Sequence, residues 1–238
     1  TKAQLFPVNG MTTEELAWLT QEPSEGRMEG FRVLSAGKLL RLKGFSLAIK
    51  AFHRFAARHA DATFTIFGDG PDRAALERLI GSLGLRDRVH LRPWVPRDKV
   101  LGALRSCDVV LFPSLRDGGG AVVVEAMGAG KPVVCLDVGG PRLHVTDDCG
   151  IRVAADTVEQ VVRDLAAALE RLYLDAELRS RMGAAARRRA AQIYHWDRLG
   201  NWLLEIYAGA AGAQAQVAGP DGGVAATAAS TSSIRGSE

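Results

Sequence analysis

Six short apolar runs, bounded by Gly, Pro or Asp and separated by stretches of helical periodicity, predict an α/β chain built on a parallel sheet. Runs this short and this apolar read as strands buried on both faces. Strand alternating with helix from residue 31 to residue 153 makes a Rossmann-like, doubly wound layout the natural form.

The runs fall at residues 31–36, 62–67, 88–91, 108–112, 132–136 and 150–153, several of them rich in Val and Ile. Between them Phe45, Ile49, Phe52 and Ala56 recur at helical spacing, as do Leu76, Leu79 and Leu83, and Val100, Leu101 and Leu104. Residues 158–173, 176–194 and 196–207 then read as three helices, the last carrying a stripe of Trp196, Leu199, Trp202, Leu203 and Ile206. Pro7, Asn9-Gly10, Pro23 and Gly26 punctuate residues 1–30, which read as a linker or extension with no core-forming unit. A short helix could start there, with Thr12 or Thr13 as cap and Glu15 three residues after Thr12. Residues 31–207 form the predicted domain. Residues 208–238, rich in Ala, Gly, Ser and Thr and without an aromatic, read as a disordered tail.

Composition excludes several function classes. A formal charge of +3, from 30 basic and 27 acidic side chains, offers no long-range pull on nucleic acid. Arg179, Arg181 and Arg187, Arg188 and Arg189 read as a solvated helical face. The three cysteines (Cys107, Cys135, Cys149) form no CxxC pair, and the five histidines (His53, His59, His90, His144, His195) form no HExxH, so no metal site is expected. With no signal peptide and no apolar run near the roughly 18 residues of a membrane span, a cytoplasmic chain is expected.

Ligands of open α/β sheets bind at the carboxyl ends of the strands, which directs attention to four turns. Gly37-Lys38, running to Lys43-Gly44, places two lysines in a Gly-flanked loop that opens a helix, either an anion site or surface lysines. Gly68-Asp69-Gly70-Pro71 is a tight strand-to-helix turn that lets the backbone approach a ligand or merely turns. Gly118, Gly119 and Gly120 precede a helix and expose backbone N–H groups to a phosphate or sugar oxygen, with Asp117 at the loop's mouth. Glu125 stands in the apolar stretch 121–127; such a carboxylate is either paired with a neighbouring helix or bonded by a bound polyol. Asp137-Val138-Gly139-Gly140-Pro141 is the fourth turn. Gly128-Ala129-Gly130-Lys131 is no P-loop, because Pro132 stands in place of Ser or Thr and the segment precedes a strand.

Taken in order, these residues resemble the C-terminal domain of family-four GT-B glycosyltransferases. The shared features are Gly37-Lys38 with Lys43-Gly44; Phe67-Gly68-Asp69-Gly70-Pro71; the passage from Leu83 to Val95; Asp117 and Glu125 with seven residues between them; Glu125-Ala126-Met127 running to Lys131-Pro132-Val133-Val134; and the closing helix from His195-Trp196 to Tyr207. The chain departs from the pattern at Asp117, where the family usually has Glu, and at Gly119, where it usually has an aromatic.

The resemblance implies one half of a GT-B fold and a retaining transfer of a hexosyl group from a nucleotide diphosphate sugar, with UDP and GDP the candidate carriers. It implies that Lys38 and Lys43 neutralise the donor diphosphate and that Asp117 contacts the transferred sugar. Gly37, Gly68 and Gly70, the turn residues Gly118, Gly119 and Gly120, and the helix-opening residues Ala121 and Val122 complete the implied donor site. Glu125 would hold the ribose, and the backbone at Trp94 and Val95 would read the base. It also implies no required metal or other cofactor, and an N-terminal acceptor-binding domain outside this chain, without which transfer is expected to be weak or absent. The acceptor stays open; a lipid-linked one would bring peripheral membrane association. A GT-B-type nucleotide-sugar epimerase and a non-catalytic nucleotide-binding module are the alternatives. A dinucleotide oxidoreductase is disfavoured because no GxGxxG follows the first strand.

Overall fold

The computed structural model describes residue 7, residues 9–21 and residues 29–217. Helix α1 (Thr13–Leu19) is followed by β1 (Arg32–Ala36), a 3₁₀ turn (Arg41–Lys43), α2 (Phe45–Ala56), β2 (Thr63–Phe67), α3 (Arg73–Ser82), β3 (Val89–Arg92) and α4 (Arg97–Ser106). The second half comprises β4 (Val109–Phe112), α5 (Ala121–Gly128), β5 (Val133–Leu136), α6 (Pro141–His144), β6 (Gly150–Val153), α7 (Val158–Leu174), α8 (Ala176–Ile193) and α9 (Trp196–Val217). One compact unit ends at Leu199; from Gly200 the chain is helix through Val217. Each predicted strand lies within one residue of an observed one.

All six strands run parallel, in the order β3-β2-β1-β4-β5-β6. Successive side chains of a strand point to opposite faces, and the sequence exploits this. Val33, Val109, Leu111, Val134 and Leu136 join a core under α2, α3 and α7, where Phe52, Phe55 and Phe64 are fully buried. Leu34, Val110, Phe112, Val133 and Cys135 join the opposite core under α4, α5 and α8. Cys107, Cys135 and Cys149 are buried free thiols in that second core.

Two boundaries move. Residues 9–21, expected as linker, belong to the fold: Met11 and Leu19 are buried in the second core, and α1 starts with the capping box formed by Thr12 and Glu15. Residues 1–6, 8 and 22–28 of that expected linker lie outside the described residues. The tail boundary expected at residue 208 falls inside α9. Five of the residues from 208 to 217 are alanines, which have the strongest helix propensity and extend a helix without needing a core. Residues 218–238 lie outside the described residues. The arginine run of α8 is only partly solvated. Arg179 donates to the carbonyl of Leu172, Arg189 to those of His144 and Leu143, and Arg187 to that of Ala129. No helix among the described residues is long and apolar enough to cross a membrane.

The loop after β1 is locked to the loop after β4 at Gly44. Its φ is +68°, and a Cβ there would overlap the carbonyl of Pro113. Gly84 has nearly the same φ, +67°, with nothing near its missing Cβ. Gly84→Ala is therefore expected to cost only the left-handed backbone penalty of about 1–2 kcal/mol. Gly44→Ala is expected to exceed it by about 1–3 kcal/mol of steric strain in urea unfolding. Equal costs would mean that the two loops are not held together there.

Candidate functional site

The crossover connections leave β1 and β4 in opposite directions, which opens a crevice above their carboxyl ends. Two adjoining cavities occupy it, of about 550 Å³ and about 360 Å³. Both are lined by Ala36, Gly37, Lys38, Ala121 and Val122, so they share one floor. Ala121 and Val122 open α5, ahead of its first helical hydrogen bonds, which Val123 and Val124 donate to the Gly120 carbonyl. Their N–H groups are the orphan donors of a helix start. Together with the exposed Lys38 they make the shared floor electropositive.

The smaller cavity carries Lys43 and Asp117, which form an ion pair through Lys43 Nζ and Asp117 Oδ2. The other carboxylate oxygen of Asp117 accepts the N–H groups of Gly119 (3.1 Å) and Gly120 (2.7 Å). Burial pushes the Asp117 carboxyl up, but Lys43 and these amides outweigh it and hold the pKa below the ordinary value. The Gly119 carbonyl is fixed as well, accepting from Asn9 Nδ2 at 2.6 Å and from His144 Nε2 at 2.9 Å. With Nε2 donating, neutral His144 accepts at Nδ1 from the Tyr194 hydroxyl, 2.8 Å away. Burial depresses the His144 pKa and favours this neutral form. A turn of three glycines is thus held from both sides.

The larger cavity is lined by Trp94, Val95, Arg97 and Glu125, besides the shared floor. The Trp94 N–H donates to Asp69 Oδ2 at 2.7 Å, and Arg73 grips the same carboxylate through Oδ1. The Trp94 amide and Arg73 keep the Asp69 pKa low. Glu125 is only 7% exposed and receives Arg97 Nε on Oε1 at 2.5 Å. Burial raises the Glu125 pKa, and Arg97 offsets this only in part. Arg97 also pairs with Glu15 of α1. The pairing that the sequence left open for Glu125 is therefore present, and the carboxylate faces the cavity all the same.

Of the sequence-predicted residues, Gly37, Lys38, Ala121 and Val122 line both cavities. Gly68, Trp94, Val95 and Glu125 line the larger, and Lys43, Asp117, Gly119 and Gly120 the smaller. Gly70 and Gly118 line neither. At Gly70 the backbone of Leu39 lies where a side chain would start, so this glycine serves loop packing. A Cβ at Gly118 would meet nothing within 4 Å, and this glycine sits on the exposed side of the turn. Sequence reasoning missed Arg97, Asp69, Glu15, Asn9 and His144. Asp69 had a visible signal, lying between the two turn glycines; Asn9 and His144 had none. Among the described residues no group of three His, Cys, Asp or Glu side chains could hold a metal ion.

The family model described as Glycosyl transferases group 1 matches residues 19–189. Alpha-D-kanosaminyltransferase of Streptomyces kanamyceticus is 35% identical over 176 residues, covering 74% of this chain and 45% of that protein. D-inositol 3-phosphate glycosyltransferase of Paenarthrobacter aurescens is 36% identical over 186 residues, covering 76% and 44%. The chain thus spans less than half the length of these curated relatives. Among solved structures, the pneumococcal O-GlcNAc transferase GtfA in complex with UDP and GlcNAc superposes with a TM-score of 0.74 at 22% identity, over 87% of this chain and 40% of the other. Anabaena Alr3699/HepE in complex with UDP-glucose gives 0.67 at 22%, over 84% and 54%. The structural likenesses establish the fold, a Rossmann-like half of the GT-B architecture, and the family match goes further: this chain belongs to the group 1 glycosyltransferases.

Proposed function

We propose that this chain is the donor-binding half of a retaining, hexosyl-type glycosyltransferase, with a nucleotide diphosphate sugar lying across the two cavities. The observation that carries this reading is the shared floor: Lys38 and the residues that open α5 line both cavities, Glu125 lines only the larger, and Lys43 with Asp117 only the smaller. A nucleoside in the larger cavity would meet Glu125 with its ribose and Trp94 and Val95 with its base. The diphosphate would cross the floor, and the sugar would enter the smaller cavity. The solved neighbours that hold UDP or UDP-glucose make uridine donors the first class to test. Lys38, Lys43 and the amides of Ala121 and Val122 would stabilise the departing diphosphate, which is electrostatic catalysis. The Gly119 and Gly120 amides already serve Asp117, so a donor would recruit them only by displacing its carboxylate. No metal is required in this scheme. The acceptor site is assigned to another domain, consistent with the chain's spanning less than half of its relatives, and little transfer is expected from this chain alone.

A donor that binds only the folded state raises stability by RT ln(1 + [L]/Kd), about 2.7 kcal/mol at a hundredfold excess over Kd. Thermal-shift titration with UDP-, GDP- and ADP-sugars is expected to show a saturable rise for one nucleotide class. Lys38→Ala and Glu125→Ala are each expected to reduce that rise at fixed ligand concentration. If both variants respond like the parent, the donor lies elsewhere.

The state of Asp117 is testable by acid. Its pKa is depressed in the folded chain, so ionised Asp117 favours folding above the ordinary carboxylate value of about 3.9. That contribution is lost as pH falls through the depressed value. Asp117→Asn is expected to be less stable than the parent near pH 7 in urea unfolding, with the gap closing below pH of about 4. A gap unchanged down to pH of about 3 would mean that the Lys43–Asp117 pair contributes nothing.

A further inference from the structure

We propose that residues 9–21 form a two-point strap that sets the geometry of both cavities, Asn9 positioning the diphosphate side and Glu15 the ribose side. The inference rests on the donor-binding reading above and assigns roles within that site to a segment that the sequence reads as linker.

The strap is anchored at its middle. Met11 is fully buried; its N–H donates to the Tyr194 carbonyl at 2.7 Å, and its carbonyl accepts the Trp196 N–H at 3.1 Å. Two residues before this anchor, Asn9 lines the smaller cavity and donates to the Gly119 carbonyl. That bond, with the one from His144, fixes a peptide whose three consecutive glycines give it no side-chain restraint of its own. Asp117 holds the N–H groups of Gly119 and Gly120, and Asn9 with His144 holds the Gly119 carbonyl, so this second hold completes the orientation of the peptides leading to the Ala121 and Val122 amides.

Four residues after the anchor, Glu15 divides its carboxylate. Oε2 accepts the Thr12 N–H in the capping box, while Oε1 takes Arg97. The cap immobilises Glu15, and Glu15 immobilises the guanidinium. Arg97 then reaches Glu125 through Nε alone, on Oε1. Among the described residues Glu125 has no other hydrogen-bond partner, so Oε2 remains for a ligand hydroxyl in the larger cavity. Without Glu15, the planar fork of Arg97 can close on both oxygens of Glu125, the arrangement that guanidinium–carboxylate pairs favour. The ligand would then lose its acceptor. Asn9 and Glu15 are positioning residues, acting through Gly119 and Arg97.

The test uses the whole chain and calorimetric titration with UDP, UMP and 2′-deoxy-UDP, or with the guanosine or adenosine set if the parent prefers it. Asn9→Ala is expected to lower the ratio of diphosphate to monophosphate affinity at least threefold, with monophosphate binding within twofold of the parent. Glu15→Gln is expected to lower the preference for ribo- over deoxyribonucleotide at least threefold, with the diphosphate-to-monophosphate ratio unchanged. A general loss of packing would depress all three ligands together and would overturn the proposal. So would either variant keeping its own ratio at the parent value while the parent binds. A parent that binds none of the nucleotides would remove the donor site itself, and the strap's role with it.

Discussion

The pairing of β1 with β4 is the constraint on which the rest of the site depends. Leu34 aligns with Val110 on one side and with Thr65 on the other, placing β1 at the centre of the sheet. Hydrogen bonding between β1 and β4 brings together two strand ends that are 76 residues apart in sequence, as the bond from Ser35 Oγ to the Leu111 carbonyl illustrates. The chain leaves one end toward β2 and the other toward β5, so neither crossover covers the space above the pair. The lysine-bearing loop and the start of α5 face each other across that gap because of this divergence.

Electrostatics within the gap follow from burial and from helix direction. The amino end of α5 supplies donors, Lys38 and Lys43 add positive charge, and each carboxylate has a cation in contact: Asp117 with Lys43, Glu125 with Arg97. The two acids nevertheless shift in opposite senses. Asp117 has two amides besides its lysine, whereas Glu125 is more deeply buried and shares its arginine with Glu15. Two carboxylates on one loop and the helix it opens are therefore unequal. One has its pKa held below the ordinary value, and the other has it raised by burial.

The strands were legible to within a residue because apolar runs and their Gly, Pro and Asp boundaries are local signals. The turns at Gly37, Gly68 and Gly119 were legible for the same reason, since a strand followed by glycine and a helix marks a carboxyl end. The clamps on those turns were not. Asn9 and Gly119 are 110 residues apart, Glu15 and Arg97 82, and Arg97 and Glu125 28. No periodicity connects such pairs. The spacing from Thr12 marks Glu15 as half of a capping box, which is correct, but that role uses one carboxylate oxygen and leaves the other for a distant arginine. At the tail, composition argues against a core and is silent about helix, because alanine needs no core to extend one.

The cysteines make one layer of this molecule chemically observable. Burial pushes the thiols of Cys107 and Cys135 up to about 12, so neither presents thiolate, the reactive species, at neutral pH. An alkylating reagent must wait for the chain to open around them. Since all three sulfurs sit on the α4, α5 and α8 side, labelling would clock the breathing of that layer and stay blind to movements confined to the phenylalanine-rich layer beneath α2 and α7.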